Sequence, residues 1–144
     1  MTKRVLFVCT GNTCRSPMAE VLYNAMTKSS AASSAGTQAS EGAPLSGGAA
    51  AMFVKRGLGP VAHRARRVDA AMLKEADVVY ALESLHRDFL KRLFPDFAAK
   101  ILVLSQADIK DPVGGGAPEY EACADAIERA LKIIVPKEKE SHAP

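Results

Sequence analysis

The segment from Arg4 to Pro17 constrains this chain most. Arg4-Val5-Leu6-Phe7-Val8 is a continuous apolar, β-branched run, the pattern of a strand buried on both faces, so a strand is predicted over Lys3 to Val8. Cys9-Thr10-Gly11-Asn12-Thr13-Cys14-Arg15-Ser16 follows, small and polar, with Gly11 free to take positive φ. Pro17 then stands at a first helical position with Ser16 as N-cap. Met18, Val21, Leu22, Ala25 and Met26 recur at helical spacing up to about Lys28. A buried strand, a tight polar loop and a helix make half of a βαβ unit, and a strand buried on both faces needs helices on either side.

The rest of the chain repeats that alternation. Ala31 to Ala35 reads as a weak second strand. Pro44 opens a helix through Ala49, Met52 and Phe53 that ends at Gly57, and Val68 to Glu75 is a short helix. Asp77 to Leu82 is a third strand. Ser84 caps a helix with Leu85, Phe89, Leu90 and Leu93 facing inward, ended by Pro95. Ile101 to Leu104 is a fourth strand. Pro118 begins a last helix, with an apolar stripe of Tyr120, Cys123, Ala124, Ile127, Leu131 and Ile134, and Pro136 stops it. The expected fold is a single α/β domain over residues 1–136, a four-stranded parallel sheet with helices on both faces, followed by a disordered charged tail over 137–144. In such folds ligands bind beyond the carboxyl ends of the strands, where the loop from Cys9 to Ser16 lies.

Composition narrows the function classes. With 144 residues, 48% hydrophobic and 24% charged, the chain has material for one core and is not disordered. A net charge of +3 suits anionic substrates, but no face is saturated with Lys and Arg, Trp is absent and aromatics are 6%, so nucleic acid is not an expected partner. No apolar run approaches the ~18 residues of a membrane span, and Val5 to Val8 is too short for a signal peptide. Three cysteines, an odd count with no export signal, point to a reducing, cytoplasmic setting.

The loop from Cys9 to Ser16 can carry chemistry. Its backbone N–H groups can form an anion nest at a helix N-terminus, where the helix dipole adds positive charge. Arg15 offers a planar fork for two phosphoryl oxygens. Cys9, at the loop base in that field, is expected to have a lowered pKa, and Ser16 to donate to its sulfur. A thiolate facing a bound phosphoryl group is a nucleophile aimed at phosphorus. An acid must then protonate the leaving group. The candidates are Asp111, stiffened by Pro112 and followed by Val113 and three glycines, and Asp108. Their order in sequence leaves the choice open. The stretch Lys55 to Arg67 holds five Lys or Arg and no acid, a solvated surface by default and an acidic-substrate contact if it lies near the site.

Val8-Cys9-Thr10-Gly11-Asn12-Thr13-Cys14-Arg15-Ser16-Pro17-Met18-Ala19-Glu20 resembles the signature of the low-molecular-weight protein tyrosine phosphatase family. The resemblance extends across the domain: Ser34-Ala35-Gly36-Thr37 is similar to the second-strand motif, His63-Arg64-Ala65-Arg66 to the segment before the third helix, and Asp111-Pro112 to the general-acid loop. It implies a hydrolase without metal or cofactor that acts on phosphorylated proteins and releases inorganic phosphate. Cys9 would form a phosphocysteine. Asp111, chosen over Asp108 by the resemblance, would act as acid and then base. Arg15 and the amides of Thr10 to Ser16 would hold the transition state. Asn12, Ser16, Ser34 and His63 would shape the loop. Cys14 would form a reversible disulfide with Cys9 that guards against overoxidation.

Two departures bear on substrate. Thr13 stands where eukaryotic-type members usually have Ile and is similar to the bacterial protein arginine phosphatases, in which it narrows the pocket and positions water. Val113 and Gly114 stand where tyrosine-specific members tend to have aromatics; the arginine phosphatases have Phe where Val113 stands. The reading leans to protein phosphoarginine, with protein phosphotyrosine as the alternative. Thioredoxin-coupled arsenate reductases share the loop but need two further cysteines near the third strand and following helix, and residues 77–94 contain none. A non-catalytic phosphate-binding module would have lost the nucleophile, Arg or acid, and all three are present. A nucleotide P-loop is excluded because the loop does not end in Gly-Lys-Ser/Thr.

Overall fold

The computed structural model describes residues 3–140. The elements run β1 (Val5–Cys9), α1 (Arg15–Thr27), β2 (Ala32–Gly36), α2 (Gly47–Lys55), α3 (Ala70–Glu75), β3 (Val78–Ala81), α4 (Ser84–Leu93), a 3-10 helix (Pro95–Lys100), β4 (Ile101–Val103) and α5 (Ala117–Glu140). The four strands form one parallel sheet in the order β2-β1-β3-β4. The chain winds outward from β1 in both directions, so the C-terminal end of β1 is a switch point of the topology.

Strand β1 is buried at every position, and alternation divides its side chains between two cores. Val5, Phe7 and Cys9 join Met18, Leu22 and Tyr23 of α1, Met52 and Phe53 of α2, and Ile127 and Leu131 of α5. The Phe7 ring lies between Tyr23 and Tyr80, with centroids at 5.8 and 6.0 Å. On the other face Leu6 and Val8 meet Val68, Leu73 of α3, Leu90 of α4 and Ile101 of β4. The expected α5 stripe, Tyr120, Cys123, Ala124, Ile127, Leu131 and Ile134, is buried throughout.

Several boundaries differ from expectation. Helix α1 begins at Arg15, two residues before Pro17, with Cys14 and not Ser16 in the cap position; the Ser16 side chain turns inward to the loop instead. Gly11 does not take the positive φ; Asn12 does, at 58°. Helix α2 begins after Ser46, whose side chain accepts from the Ala49 N–H, while Pro44 lies in an isolated bridge to Arg64. Helix α3 is shortened to Ala70 by the Asp69 cap. On α4, Leu85 and Leu93 are 58% and 56% exposed, and the inward face carries His86 and Leu90. Helix α5 continues through Pro136 to Glu140. Proline removes one helical hydrogen bond, but Ile134 and Val135 are buried just before it and hold the helix in register. Residues 141–144 of the expected tail lie outside the described residues. Among the described residues no helix is long and apolar enough to cross a membrane.

Candidate active site

The loop between β1 and α1 wraps the Cys9 sulfur. Cys9 is buried, and its Sγ accepts from the Asn12 N–H at 3.3 Å and lies 2.9 Å from Ser16 Oγ. The loop is pressed from beneath by β2. A Cβ added at Gly36 would stand 2.5 Å from the Thr10 carbonyl oxygen and 3.0 Å from the Asn12 nitrogen, so only glycine allows this approach. Thr37 and Gln38 donate their N–H groups to the Cys9 and Thr10 carbonyls, which fixes the loop to the sheet.

A polar network holds the turn at Asn12. Its Nδ2 donates to Ser16 Oγ at 2.8 Å and to Ser34 Oγ at 2.9 Å, and its Oδ1 accepts from the Arg66 N–H at 3.0 Å. Ser34 Oγ in turn donates to Glu20 Oε1 at 2.7 Å. His63 reaches the same residue by another route, with Nε2 2.7 Å from the Asn12 carbonyl oxygen. The Ser46 N–H donates to the Thr13 carbonyl at 2.9 Å, so α2 also braces the loop. Asn12, Ser16, Ser34 and His63, the four residues expected to shape the loop, are thus together.

Arg15 is buried, and its shortest contacts lie on one side. Its Nη1 donates to Glu83 Oε1 and, at 2.9 Å, to the Ile109 carbonyl. Its Nη2 faces Thr10 Oγ1 at 3.5 Å and Asp111 Oδ2 at 3.6 Å. Its Nε is buried without a hydrogen-bond partner among the described residues. Burial would lower the Arg15 pKa, but the Glu83 hydrogen bond and the charges of Cys9, Asp111 and Glu83 outweigh it and raise the pKa, so the guanidinium stays charged.

Asp111 comes to the loop and Asp108 does not. Asp111 is 45% exposed and its Oδ1 accepts from the Val113 N–H at 3.0 Å and faces Cys14 Sγ at 3.7 Å. The acid therefore spans Arg15 and Cys14. Asp108 instead accepts from the Ser84 N–H at 2.8 Å and fastens the start of α4. The turn after Asp111 closes with Gly115 N–H on the Pro112 carbonyl at 2.9 Å and Gly114 at φ 85°, the geometry that needs glycine. Val113 is 63% exposed at its tip.

Cys14 lies in the same loop as Cys9, and burial first, then the charges of Cys9 and Asp111, push its thiol up to about 12. Burial does the same to Cys123, also to about 12. All three cysteines are free. Two arginines of the basic stretch are tied back onto the fold, while Lys55, Arg64 and Arg67 are exposed. Arg56 is tied to Glu121, Asp125 and Glu128 of α5, and Arg66 Nε donates to the Ser34 carbonyl at 2.9 Å.

Four residues around the loop had no assigned role in the sequence reading. Glu83 and the Ile109 carbonyl hold Arg15, Glu20 ends the Asn12 network, and His86 lies under Thr10 with Nε2 2.8 Å from Oγ1. Glu20 sits inside the signature, which is a signal. His86 is four residues before Leu90 on α4, but its neighbours Leu85 and Phe89 made the apolar stripe look complete without it.

A family model described as low molecular weight phosphotyrosine protein phosphatase matches residues 4–142. A protein-arginine-phosphatase of Geobacillus stearothermophilus is 36% identical over 144 residues, covering 95% of this chain and 97% of that protein. A low molecular weight protein-tyrosine-phosphatase of Streptomyces coelicolor is 36% identical over 148 residues, covering 90% of each. Among solved structures, the YwlE arginine phosphatase from G. stearothermophilus superposes with a TM-score of 0.91 at 34% identity, covering 96% of this chain and 94% of that one. A low molecular weight protein tyrosine phosphatase from T. tengcongensis gives 0.90 at 37% identity, covering 94% and 99%. With nearly its whole length matched, and a loop of this geometry between β1 and α1, the chain belongs to the low molecular weight phosphotyrosine protein phosphatase family.

Proposed function

We propose that this chain is a cytoplasmic protein phosphatase that works through a phosphocysteine on Cys9 and prefers protein phosphoarginine. The observation that carries the reading is the pairing of a buried sulfur ringed by donors with a guanidinium whose Nε is buried and, among the described residues, unpartnered. A buried donor without an acceptor is costly and is explained by a phosphoryl oxygen as its partner.

The mechanism follows from the contacts. Arg15 presents Nε and Nη2 to the phosphoryl oxygens, while Glu83 and the Ile109 carbonyl fix its far side. Cys9 attacks phosphorus in line. The bond to the leaving nitrogen or oxygen breaks, and that atom takes the proton of Asp111. Asp111, now a carboxylate, takes a proton from water. The water oxygen attacks phosphorus, the S–P bond breaks, and phosphate leaves with the thiolate restored. Hydrogen bonds from Asn12 N–H and Ser16 stabilise charge on the departing sulfur. No step uses a metal. Cys14 is the proposed redox partner of Cys9 within the same loop.

The lean to phosphoarginine rests on Thr13 and Val113. Thr13 is half-buried in the loop, with its backbone held by Ser46. The tip of the acid loop carries Val113 and no ring to stack on a phenyl group. Relatives named protein-arginine-phosphatase, from G. stearothermophilus and Bacillus subtilis, support the same direction. The equal identity to the Streptomyces tyrosine phosphatase favours phosphotyrosine as the second reading. The test compares phosphate release from matched phosphoarginine and phosphotyrosine peptides, with Cys9→Ser as blank. Faster release from phosphoarginine, reduced by Thr13→Ile, is expected. Faster release from phosphotyrosine overturns the preference, and release equal to the blank on both overturns the phosphatase reading.

A further inference from the structure

His86 occupies a position where a hydrophobic residue would be expected. It is 0% exposed in the first turn of α4, on the same inward face as Leu90. Its Nδ1 is buried with no hydrogen-bond partner among the described residues. An unsatisfied buried nitrogen weakens the fold, and a leucine there would not. Among the described residues, the ring's one hydrogen bond is Nε2 to Thr10 Oγ1 at 2.8 Å.

The donors and acceptors around Thr10 give that contact a direction. Arg15 has only donors, so its Nη2, 3.5 Å away, can meet Thr10 Oγ1 only at a lone pair. The Thr10 hydroxyl proton must then point elsewhere. A neutral imidazole with a lone pair on Nε2 can accept it, in the tautomer that carries the ring proton on the buried Nδ1. The charges that face His86 from the packed elements are Arg15 from α1, Glu83 at the start of α4, and Asp108 and Asp111 from the loop after β4. Burial and Arg15, in that order, push its pKa down to about 4, so the ring is neutral at physiological pH.

We infer that His86 is a positioning residue for the phosphate loop: its Nε2 takes the Thr10 proton, so that the Thr10 oxygen stays turned to Arg15 Nη2 and the guanidinium is held with its free edge toward the phosphoryl group. The inference rests on the phosphatase reading above. It extends the anchoring of Arg15 from Glu83 and the Ile109 carbonyl on one side to a Thr10–His86 pair on the other.

A double-mutant cycle tests it, read by calorimetric titration of inorganic phosphate and by KM and kcat on para-nitrophenyl phosphate. His86→Leu and Thr10→Val should each weaken phosphate about tenfold, the size of one hydrogen bond. The double variant should be no weaker than either single one, because both act through one contact. KM should rise in step, with kcat changed by less. His86→Gln, whose amide reaches the Nε2 position, should restore binding, and the shorter His86→Asn should not. Should His86→Leu fail to fold, Thr10→Val and the Gln–Asn contrast decide alone. Wild-type phosphate affinity in Thr10→Val, equal affinities in the Gln and Asn variants, or additive losses in the double variant overturn the role of His86. Absence of phosphate binding and turnover in the wild type overturns the phosphatase reading itself, and this inference with it.

Discussion

Ser16 Oγ lies 2.9 Å from Cys9 Sγ and 3.3 Å from the Ala35 carbonyl oxygen, and it has a single proton for the two. Asn12 Nδ2 already fills one of its lone pairs. While Cys9 is a thiol, its proton can go to Ser16, and Ser16 turns to Ala35. When the sulfur is charged, Ser16 turns to it. The hydroxyl is thus set to follow the charge on the nucleophile, and it does so without moving a heavy atom.

Ser16→Ala should therefore slow the release of phosphate from Cys9 most, because sulfur is then the leaving group. A hydrogen bond to a charged group is worth about 1.5–3 kcal/mol, or roughly 10- to 100-fold in rate. Rapid-quench kinetics should show the phosphocysteine accumulating to a larger fraction of enzyme than in the wild type. Unchanged accumulation would remove Ser16 from this role.

Asp111→Asn should lower kcat by about 10²- to 10⁴-fold, the usual size of a lost general acid. Phosphate binding should hold or tighten. The carboxylate lies 3.6 Å from Arg15 Nη2 and competes with an incoming anion for that cation. The competitive inhibition constant of inorganic phosphate checks the second half. A weaker phosphate constant would mean that Asp111 positions the loop more than it opposes the anion.

Gly36→Ala should damage the site from behind. The new methyl would meet backbone atoms, the Thr10 carbonyl at 2.5 Å and the Asn12 nitrogen at 3.0 Å, and neither can rotate away. Overpacking of this kind costs about 1–3 kcal/mol. A lowered Tm accompanied by weaker phosphate binding is expected. A lowered Tm with full phosphate affinity would show that the loop does not depend on this approach.

His86 gives stability a pH dependence with a defined sign. Its folded pKa of about 4 is below the unfolded value of 6.5, so the unfolded chain binds the extra proton between them. Stability contributed by the neutral ring is complete above pH 6.5 and is lost as pH falls toward 4. The full loss is on the order of 3 kcal/mol at about 1.4 kcal/mol per pH unit. Urea titrations at pH 7 and pH 4.5 should differ in midpoint for the wild type, and the difference should shrink in His86→Gln.

Cys9, Arg15 and Asp111 could be picked out in the sequence, the first two because they share one short loop. The spacing of a loop that crosses from a strand to a helix is local, so the residue types within it limit what it can bind. The same holds for the turn within it, although Asn12 and not Gly11 takes the positive φ. Asparagine can adopt that conformation, and here its side chain gains three hydrogen bonds by doing so. Asp108 and Asp111 could not be separated by spacing, because nothing local says which carboxylate reaches a loop about a hundred residues earlier. The family resemblance chose Asp111, and the fold gives Asp108 to the start of α4.

The parallel α/β architecture, the nucleophile loop and the buried stripe of α5 were legible from the chain, since each is written in a run of neighbouring residues whose period matches one backbone geometry. Tertiary structure alone decided which face of α4 turns inward, and so which of its residues sits beneath the loop. It also decided that Glu83 and Ile109 anchor Arg15, and that Arg56 and Arg66 of the basic stretch turn back onto α5 and β2. Those contacts join residues far apart in the chain, and their partners are set by the order β2-β1-β3-β4, in which strands distant in sequence become neighbours. Helical period fixes which residues share a face, but only packing against that sheet fixes where the face points.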